Sequence, residues 1–554
     1  MQLSPQHVTV EQLLQGKLFR IPDYQRAYSW GSKQRADLFH DIAEVARSDR
    51  DHFMATIVGL GGNSRIVGAD RYTDVALVDG QQRVTTLIIL LKAIEKALDP
   101  DDDVEKEAKS QLARLIVKAD NHNLVLLQTN HDSSEVFSRY VREGVIHSNG
   151  AQTAADRNVL NAALECEKFV KAWTERAALI DLLGVTKHRL SMIYHELHDE
   201  AAVYRVFEVL NSRGLDVKWL DKTKSQLMAS IYEYVDSGSR ADGLHEQKNI
   251  WKDIYRHLGL DERLGDEALK FAGTLRVNER PNRVLAEADA SQAILDFGGT
   301  QIATLSKAGR WLRTVVKHVV DLHNRTRSAA VLRTQQARFL ALAILLREFD
   351  SEVEQELLGA WERVTFRIFT LAGKDSRSKV GEYVRLAYDI YNQSLSRDEI
   401  LEGLNGIGKG FTIDDVIDKD SWDDWYPDWP EDIRYVLYRY EEARAKEAGT
   451  VLNEAQWTKV WAADPSKSIE HIKPQSSEKS YIHDLGNLTM LPPGVNSSLK
   501  DKPPTQKAKR YSECGLEITM SVGRQIAEQG KWTKADVKRR NAEIGEFVKS
   551  EWAD

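Results

Sequence analysis

The apolar pattern of this chain changes once, near Val104, and that change limits the folds open to it. Before it, short extended runs alternate with helical ones. FRIPDYQRAYSW reads as extended, because Pro22 biases Ile21 away from helix. Leu38, Ile42 and Val45 then recur at helical spacing within Lys33 to Val45. HFMATIVGL and YTDVALVDG read as a strand pair separated by the glycine-containing turn region GGNSRIVGADR. Leu87, Leu91, Ile94 and Leu98 form a helical stripe that stops at DPDDD. After Val104 most of the chain reads helical, apart from a short extended piece at NLVLLQ. Repeated stripes such as Trp311, Val315, Val319 and Leu322 fill the region from Ala241 to Ser396. The expected class is α+β, mostly helical.

At 554 residues the chain is too long for one ordinary core, so two or three domains are expected. Its two cysteines, Cys166 and Cys514, lie far apart and outside any CxxC pattern. That excludes a disulfide scaffold or a cysteine zinc site and fits a reducing cytoplasm. MQLSPQHVTVEQLLQGK lacks the basic start and long apolar run of a signal peptide, and FLALAILL is far too short to span a bilayer. A cytoplasmic protein without membrane partners is the expectation.

A net charge of −8 argues against a nonspecific nucleic-acid coat, but the charge is unevenly spread. Asp414 to Asp432 holds nine acidic residues against one lysine, whereas Lys500 to Arg540 holds eleven basic residues against five acidic ones. A basic region in an acidic protein is the footprint of a local phosphate-contacting surface, or else an ordinary solvated face.

Three polar clusters stand out before residue 235. In ALVDGQQRVTTL a strand-like run ends in glycine and a helix begins, so Gln81, Gln82 and Arg83 fall in its first turn. Unpaired N–H groups and the positive end of the helix dipole make such a turn an anion site, and Arg83 adds a planar donor suited to phosphate. Asp79 is placed to bind a metal, orient water or fix an arginine; the plainer alternative is a helix cap paired with Arg83. IPDYQRAYSW sets Gln25 and Arg26 among Tyr24, Tyr28 and Trp30, a pattern suited to reading a base, sugar or modified backbone, or to a buried aromatic segment. In VFEVLNSRGLDVKWLDKTK, Asn211, Arg213 and Gly214 break one helix before the next, in which Lys224 is able to face the same phosphate pocket.

The C-terminal segment reads SIEHIKPQSS and then HDLGNLTMLPPGVNSSLKDKPPTQK. Glu470-His471 at a strand-like end, Asn487 after Gly486, and Asn496 ahead of a basic run follow the order of a ββα-metal nuclease. A neutral histidine takes a proton from water, an amide holds its ring, and a carboxylate with an amide oxygen binds one hard divalent cation.

These strings together resemble a known family. IPDYQRAYSW, LVDGQQRVTTL, NLVLLQTNHDSSEVF and FEVLNSRGLDVKWLDKTK are similar to the ParB/sulfiredoxin-like N-terminal domain of GmrSD-type restriction proteins. EHIKPQ, LGNLTML, the Asn496 region and QGKWTKADVKRRNAEIGEFVKSEW resemble the HNH nuclease domain of that family. The resemblance implies a modification-dependent (type IV) restriction endonuclease acting on phage DNA. Its organisation would be a ParB-like domain over 1–235 with a helical insertion, a helical scaffold over 236–410, and an HNH domain over 411–554 opened by the acidic connector.

Carried onto this chain, the resemblance puts Asp79, Gln81, Gln82 and Arg83 at a nucleoside triphosphate site, Asp79 and Arg83 serving hydrolysis; Gly80 of the same turn and Lys224 of the third cluster are expected to join it. Tyr24, Gln25 and Arg26 match a motif that helps related phosphorothioate-sensing SspE proteins sense modified backbone. His471 would be the general base, Asn487 its orienting partner, and Glu470 and Asn496 the ligands of magnesium or manganese. Lys500, Lys502, Lys507, Lys509 and Arg510 would meet the phosphates of double-stranded DNA. Glu470 departs from the more usual aspartate, and Asn496 stands where many HNH enzymes have histidine. The competing reading is a nucleotide-dependent DNA-binding regulator with a degenerate nuclease domain. The modification, the triphosphate, nicking against cutting, and homo-oligomer formation are left open by the sequence.

Overall fold

A computed structural model describes residues 5–22, 25–48, 51–118, 125–128, 133–146, 151–175, 177–197, 218–325, 331–417, 426–427, 429–450, 460, 464, 467–477 and 479–554. The chain forms two compact units, Met1–Arg276 with Leu285–Val320, and Val277–Val284 with Asp321–Asp554. The helical middle expected over 236–410 is thus shared between them. The stripe Trp311, Val315, Val319 and Leu322 is buried on the helix Ile302–His323, in whose last turns the first unit ends.

The first unit is built on a mixed sheet of six strands: β1 (Pro5–Thr9), β2 (Lys17–Ile21), β3 (His52–Val67), β4 (Asp70–Asp79), β5 (Leu126–Gln128) and β6 (Leu190–Leu197), in the order β1-β6-β3-β4-β2-β5. Strand β2 runs parallel to both β4 and β5, with Lys17 opposite Thr73 and Ile21 opposite Gln128. The carboxyl ends of β2 and β4 therefore emerge on the same side, which brings Gln25 and Arg26 to the DGQQR turn. That edge of a parallel sheet is where ligands are usually bound.

The helix Gln81–Ala97 leaves β4 at once and is buried around most of its circumference, from Val84 to Ile94. A helix apolar on all sides belongs in a core, and this one packs against Asp103–Ile116 and Ala154–Thr174.

Two sequence expectations need correction here. Strand β6 was not anticipated in the helical stretch after Val104, yet it lies between β1 and β3. Its Leu190, Met192 and Tyr194 are buried at period two, a pattern too short to stand out among helical stripes. The turn between β3 and β4 is also shorter than GGNSRIVGADR suggests. Gly62 to Val67 continue β3 through a register shift between Gly61 and Ser64, and Gly68, at φ +65°, makes the connection with Ala69.

The second unit packs helices Gln335–Leu345, Ser351–Phe366, Val380–Asn392, Arg397–Gly408 and Pro430–Glu447, followed by a small C-terminal assembly. There β7 (Ile469–His471) pairs antiparallel with β8 (Leu488–Met490), with Glu470 opposite Thr489. Helices Pro493–Leu499, Pro504–Ser512, Glu517–Gln529 and Lys534–Glu551 follow. Ile472, Leu491, Tyr511, Ile526 and Trp532 share their core. Of the acidic connector, the short helix Ile413–Val416 is described, whereas 418–425 and 428 lie outside the described residues. Among the described residues no helix is long and apolar enough to cross a membrane.

Candidate functional site

In the first unit three sequence clusters separated by up to two hundred residues meet. The Gln25 amide donates from Nε2 to the Val78 carbonyl of β4 at 2.6 Å. Gln82 accepts from the Ser29 N–H at 2.8 Å and donates to the Ala27 carbonyl at 3.0 Å. Lys224, buried on the helix Trp219–Tyr234, donates to the Gln25 carbonyl at 3.2 Å and lies 5.4 Å from the Tyr255 ring. These polar side chains fasten the chain from Gln25 to Ser29 over the entrance of the Gln81–Ala97 helix.

This geometry corrects part of the expected assignment. Gln82 Oε1 and one N–H of its Nε2 are engaged by backbone groups, so this side chain also ties the two segments together. The Lys224 ammonium reaches the motif, but it sits on a main-chain oxygen. Tyr24, like Asn211, Arg213 and Gly214, lies outside the described residues.

What remains toward a ligand is the turn itself. Gly80 sits at φ +88°, and a Cβ there would collide with Ile57 Cδ1, so the turn admits glycine. The first-turn N–H groups of the helix have no intrahelical acceptor. Gln81 is 6% exposed, and its Oε1 has no hydrogen-bond partner among the described residues. Arg83, half-buried, lies over the Trp30 ring at 5.9 Å.

Burial raises the Asp79 carboxyl above its ordinary value, opposed by the Gly80 N–H, Arg83 and Arg26. Burial likewise lowers Arg26, opposed by Asp221, Asp79 and Glu262. Asp221, which also accepts a hydrogen bond from Tyr255, is expected from the sequence only to open its helix, and Glu262 has no site role there. Asp221 lies three residues before Lys224, in the same helix turn, and that spacing was the available signal.

In the C-terminal assembly, successive residues of β7 face opposite sides. Glu470 turns inward, where its Oε1 accepts from Lys507 Nζ at 2.7 Å and from the Tyr511 hydroxyl at 2.6 Å. Burial raises this carboxyl, opposed by Lys507 and Tyr511. Lys507 also donates to the His471 carbonyl at 2.8 Å and is fully buried. It is therefore a core cation, not the phosphate contact expected, whereas Lys500, Lys502, Lys509 and Arg510 are exposed.

Asn487 is fully buried and does not hold the His471 ring as expected. Its Oδ1 accepts from the Lys473 N–H at 2.9 Å, and its Nδ2 donates to the carbonyls of Lys473 at 3.0 Å and Ile482 at 2.9 Å. The amide closes the loop between β7 and β8. Gly486 precedes it because the helix Lys534–Glu551 passes so close that a Cβ would strike the Val537 carbonyl.

Asn496 donates from Nδ2 to the carbonyls of Lys467 and Ile469, each at 3.0 Å. Among the described residues no group of three or more His, Cys, Asp or Glu is placed to hold a metal ion. With Glu470 neutralised by Lys507, the expected Glu470–Asn496 pair does not fit a divalent cation in this arrangement.

His471 faces the other side of β7, toward the loop that carries His483, and is 6% exposed. Its Nε2 lies 3.2 Å from His483 Nδ1, and the amide nitrogen of the exposed Gln475 lies 3.2 Å from its Nδ1 and 3.4 Å from its Nε2. Burial, reinforced by His483 and Lys507, lowers its pKa to about 3. The ring is neutral at neutral pH, and so low a pKa lies well below the range in which a general base is most effective. His483 and Gln475 were not anticipated as its neighbours.

Family comparison defines the class. Residues 10–228 match the N-terminal domain of the GmrSD restriction endonuclease, and residues 411–547 match the C-terminal domain of GmrSD restriction endonucleases. The chain belongs to the GmrSD restriction endonuclease family; its role is that of a restriction endonuclease, with DNA as substrate. Comparison with curated proteins gives no match.

Proposed function

We propose that this protein is an antiphage, modification-dependent DNA endonuclease of HNH type. A nucleoside triphosphate bound and hydrolysed at DGQQR in a ParB-like domain regulates cleavage at His471. The observation that carries the reading is the His471 imidazole, neutral at neutral pH and open toward the exposed Gln475 at the end of β7. In that role His471 takes a proton from water as the water oxygen attacks phosphorus, and the ester oxygen leaves. Lys500, Lys502, Lys509 and Arg510 supply phosphate contacts. Triphosphate binding is supported by the helix entrance at Gly80, the Gln81 Oε1 that has no partner among the described residues, and Arg83. Arg26, beside Asp79, is the residue proposed to relate DNA modification to that site.

The second reading, a DNA-binding regulator with a degenerate nuclease, is favoured by one observation. The Glu470 carboxylate is held by Lys507 and Tyr511 instead of facing a metal site.

The decisive assay uses unmodified plasmid, phosphorothioate-bearing plasmid and glucosylated hydroxymethylcytosine phage DNA. Magnesium or manganese is supplied, with and without each triphosphate. Wild type is expected to cleave at least one substrate, and His471→Ala to be slower by about 10²- to 10⁴-fold. Cleavage by the variant within a few-fold of wild type would sink the assignment, and no cleavage by wild type favours the regulator.

A further inference from the structure

We infer that a cavity at the amino ends of β2 and β4 binds a small phosphomonoester whose organic body is apolar. The inference is independent of the chemistry proposed for DGQQR, which lies at the carboxyl end of β4. From Tyr72, at the cavity, to Asp79 the strand takes seven steps, about 23 Å at 3.3 Å each. The cavity holds about 280 Å³. Leu14 of the helix Val10–Leu14, Leu112 and Leu115 of Asp103–Ile116, and Leu183 of Leu179–Gly184 supply its apolar wall. Gly16, at φ +68°, turns the chain into β2 at its rim, and the Gly16 carbonyl accepts the Thr73 N–H at 2.9 Å.

Against this wall the fold sets Lys118, two residues beyond the end of the helix Asp103–Ile116 and only 4% exposed. Its ammonium has three N–H donors. One meets the Leu115 carbonyl at 2.7 Å, and the Tyr72 ring lies 5.0 Å away. Asp70 favours the charge without closing an ion pair, and among the described residues no other carboxylate pairs with it. Burial holds the amine down to about 8. Buried charges are normally paired, so a lysine left this way at a cavity wall calls for an anion inside.

The rest of the lining sets the charge of that anion. Arg114, exposed, also lines the cavity and has no carboxylate partner among the described residues. Lys187 lines it too, but its ammonium is held by Glu11 at 2.7 Å. Three cations against one carboxylate leave the lining two positive charges. A phosphomonoester carries close to two negative charges at neutral pH and three acceptor oxygens, which match that excess and the remaining donors of Lys118 and Arg114. A carboxylate would balance one charge only, and inorganic phosphate would leave the leucine wall uncovered.

The test is titration calorimetry of the full-length protein with phenyl phosphate, adenosine monophosphate, inorganic phosphate and benzyl alcohol. At least one ester is expected to bind wild type, more tightly than inorganic phosphate, and benzyl alcohol is expected not to bind. Lys118→Met should weaken ester binding by about 10- to 100-fold, and Arg114→Gln by about 10-fold. Arg83→Ala should leave it unchanged, which separates this cavity from DGQQR. The tighter of the two esters names the preferred body.

Melting temperature gives a second readout. Lys118→Met removes an unpaired buried charge and keeps most of its bulk, so its melting temperature should equal or exceed that of wild type. A clear fall would mean that the ammonium already holds a carboxylate of the chain, and it overturns the inference. Because Arg114 is exposed, its variant reads binding without disturbing the fold. No ester bound by wild type at millimolar concentration overturns the inference, as does binding untouched by Lys118→Met and Arg114→Gln, or lost in Arg83→Ala alone. Inorganic phosphate bound as tightly as the esters would overturn the role of the organic body.

Discussion

Lys507 is fully buried, and its ammonium lies 2.7 Å from Glu470 Oε1 and 2.8 Å from the His471 carbonyl. In the sequence it is one of five basic residues in a short run, indistinguishable from Lys509 and Arg510. Its partner is 37 residues away, and that of Lys224 is 199 residues away. Residue types at both sites were legible because the chemistry demands them; partners were not, because they follow from tertiary packing. Removing one member of a buried ion pair leaves an uncompensated charge and costs about 3–5 kcal/mol. Lys507→Ala is therefore expected to lose about that much unfolding free energy in urea. The double variant Lys509→Ala/Arg510→Ala should stay within about 1 kcal/mol of wild type. It should instead flatten the log–log dependence of DNA affinity on salt by about two units. A Lys507→Ala protein as stable as wild type, with the flattened salt slope, would return Lys507 to the DNA-binding face.

Elements with long, regular stripes, such as Gln81–Ala97 and Ile302–His323, were legible because helical periodicity survives any surroundings. Strand β6 and the extension of β3 were not, since short strands owe their existence to neighbours across the sheet. Helix ends depend on neighbours too. The helix Glu517–Gln529 begins at Leu516, which has no capping side chain. Glu441, from the helix Pro430–Glu447, supplies the cap, its two carboxylate oxygens accepting from the Glu517 and Ile518 N–H groups at 2.8 Å each.

Burial outweighs those donors and pushes Glu441 up to about 7. An unfolded glutamate titrates near 4.3, so between those values the native state holds a proton that the unfolded state lacks. Stability contributed by this group therefore rises as pH falls through that window. Glu441→Gln does not titrate. The stability of wild type relative to this variant should grow in favour of wild type as pH is lowered from about 8 to about 5.5. Urea unfolding of both proteins across that range measures it, and a difference that does not change with pH would mean that Glu441 stays ionised in its cap.

At the scale of the molecule, the two family matches fall in different compact units, 10–228 in the first and 411–547 in the second. The two proposed chemistries should then be separable by mutation. Arg83 can offer two parallel N–H groups to a phosphate, and hydrogen bonds to charged groups contribute about 1.5–3 kcal/mol each. Arg83→Ala should weaken triphosphate binding by about 10²- to 10⁴-fold and abolish hydrolysis at moderate nucleotide concentration. Its only described aromatic contact, over Trp30 at 5.9 Å, is worth about 0.5–1 kcal/mol at a half-exposed site, so the fold should survive. His471→Ala should show the converse, with triphosphate hydrolysis retained and DNA cleavage lost. If the nucleotide regulates cleavage, adding it should change the cleavage rate of wild type and leave that of Arg83→Ala unaltered. Melting temperature, phosphate release and DNA cleavage measured on the same preparations decide the matter. A lower melting temperature for Arg83→Ala with unchanged hydrolysis per folded molecule would make DGQQR a helix entrance and nothing more. Retained nucleotide control of cleavage in a variant that no longer binds triphosphate at DGQQR would move the regulatory site elsewhere in the chain.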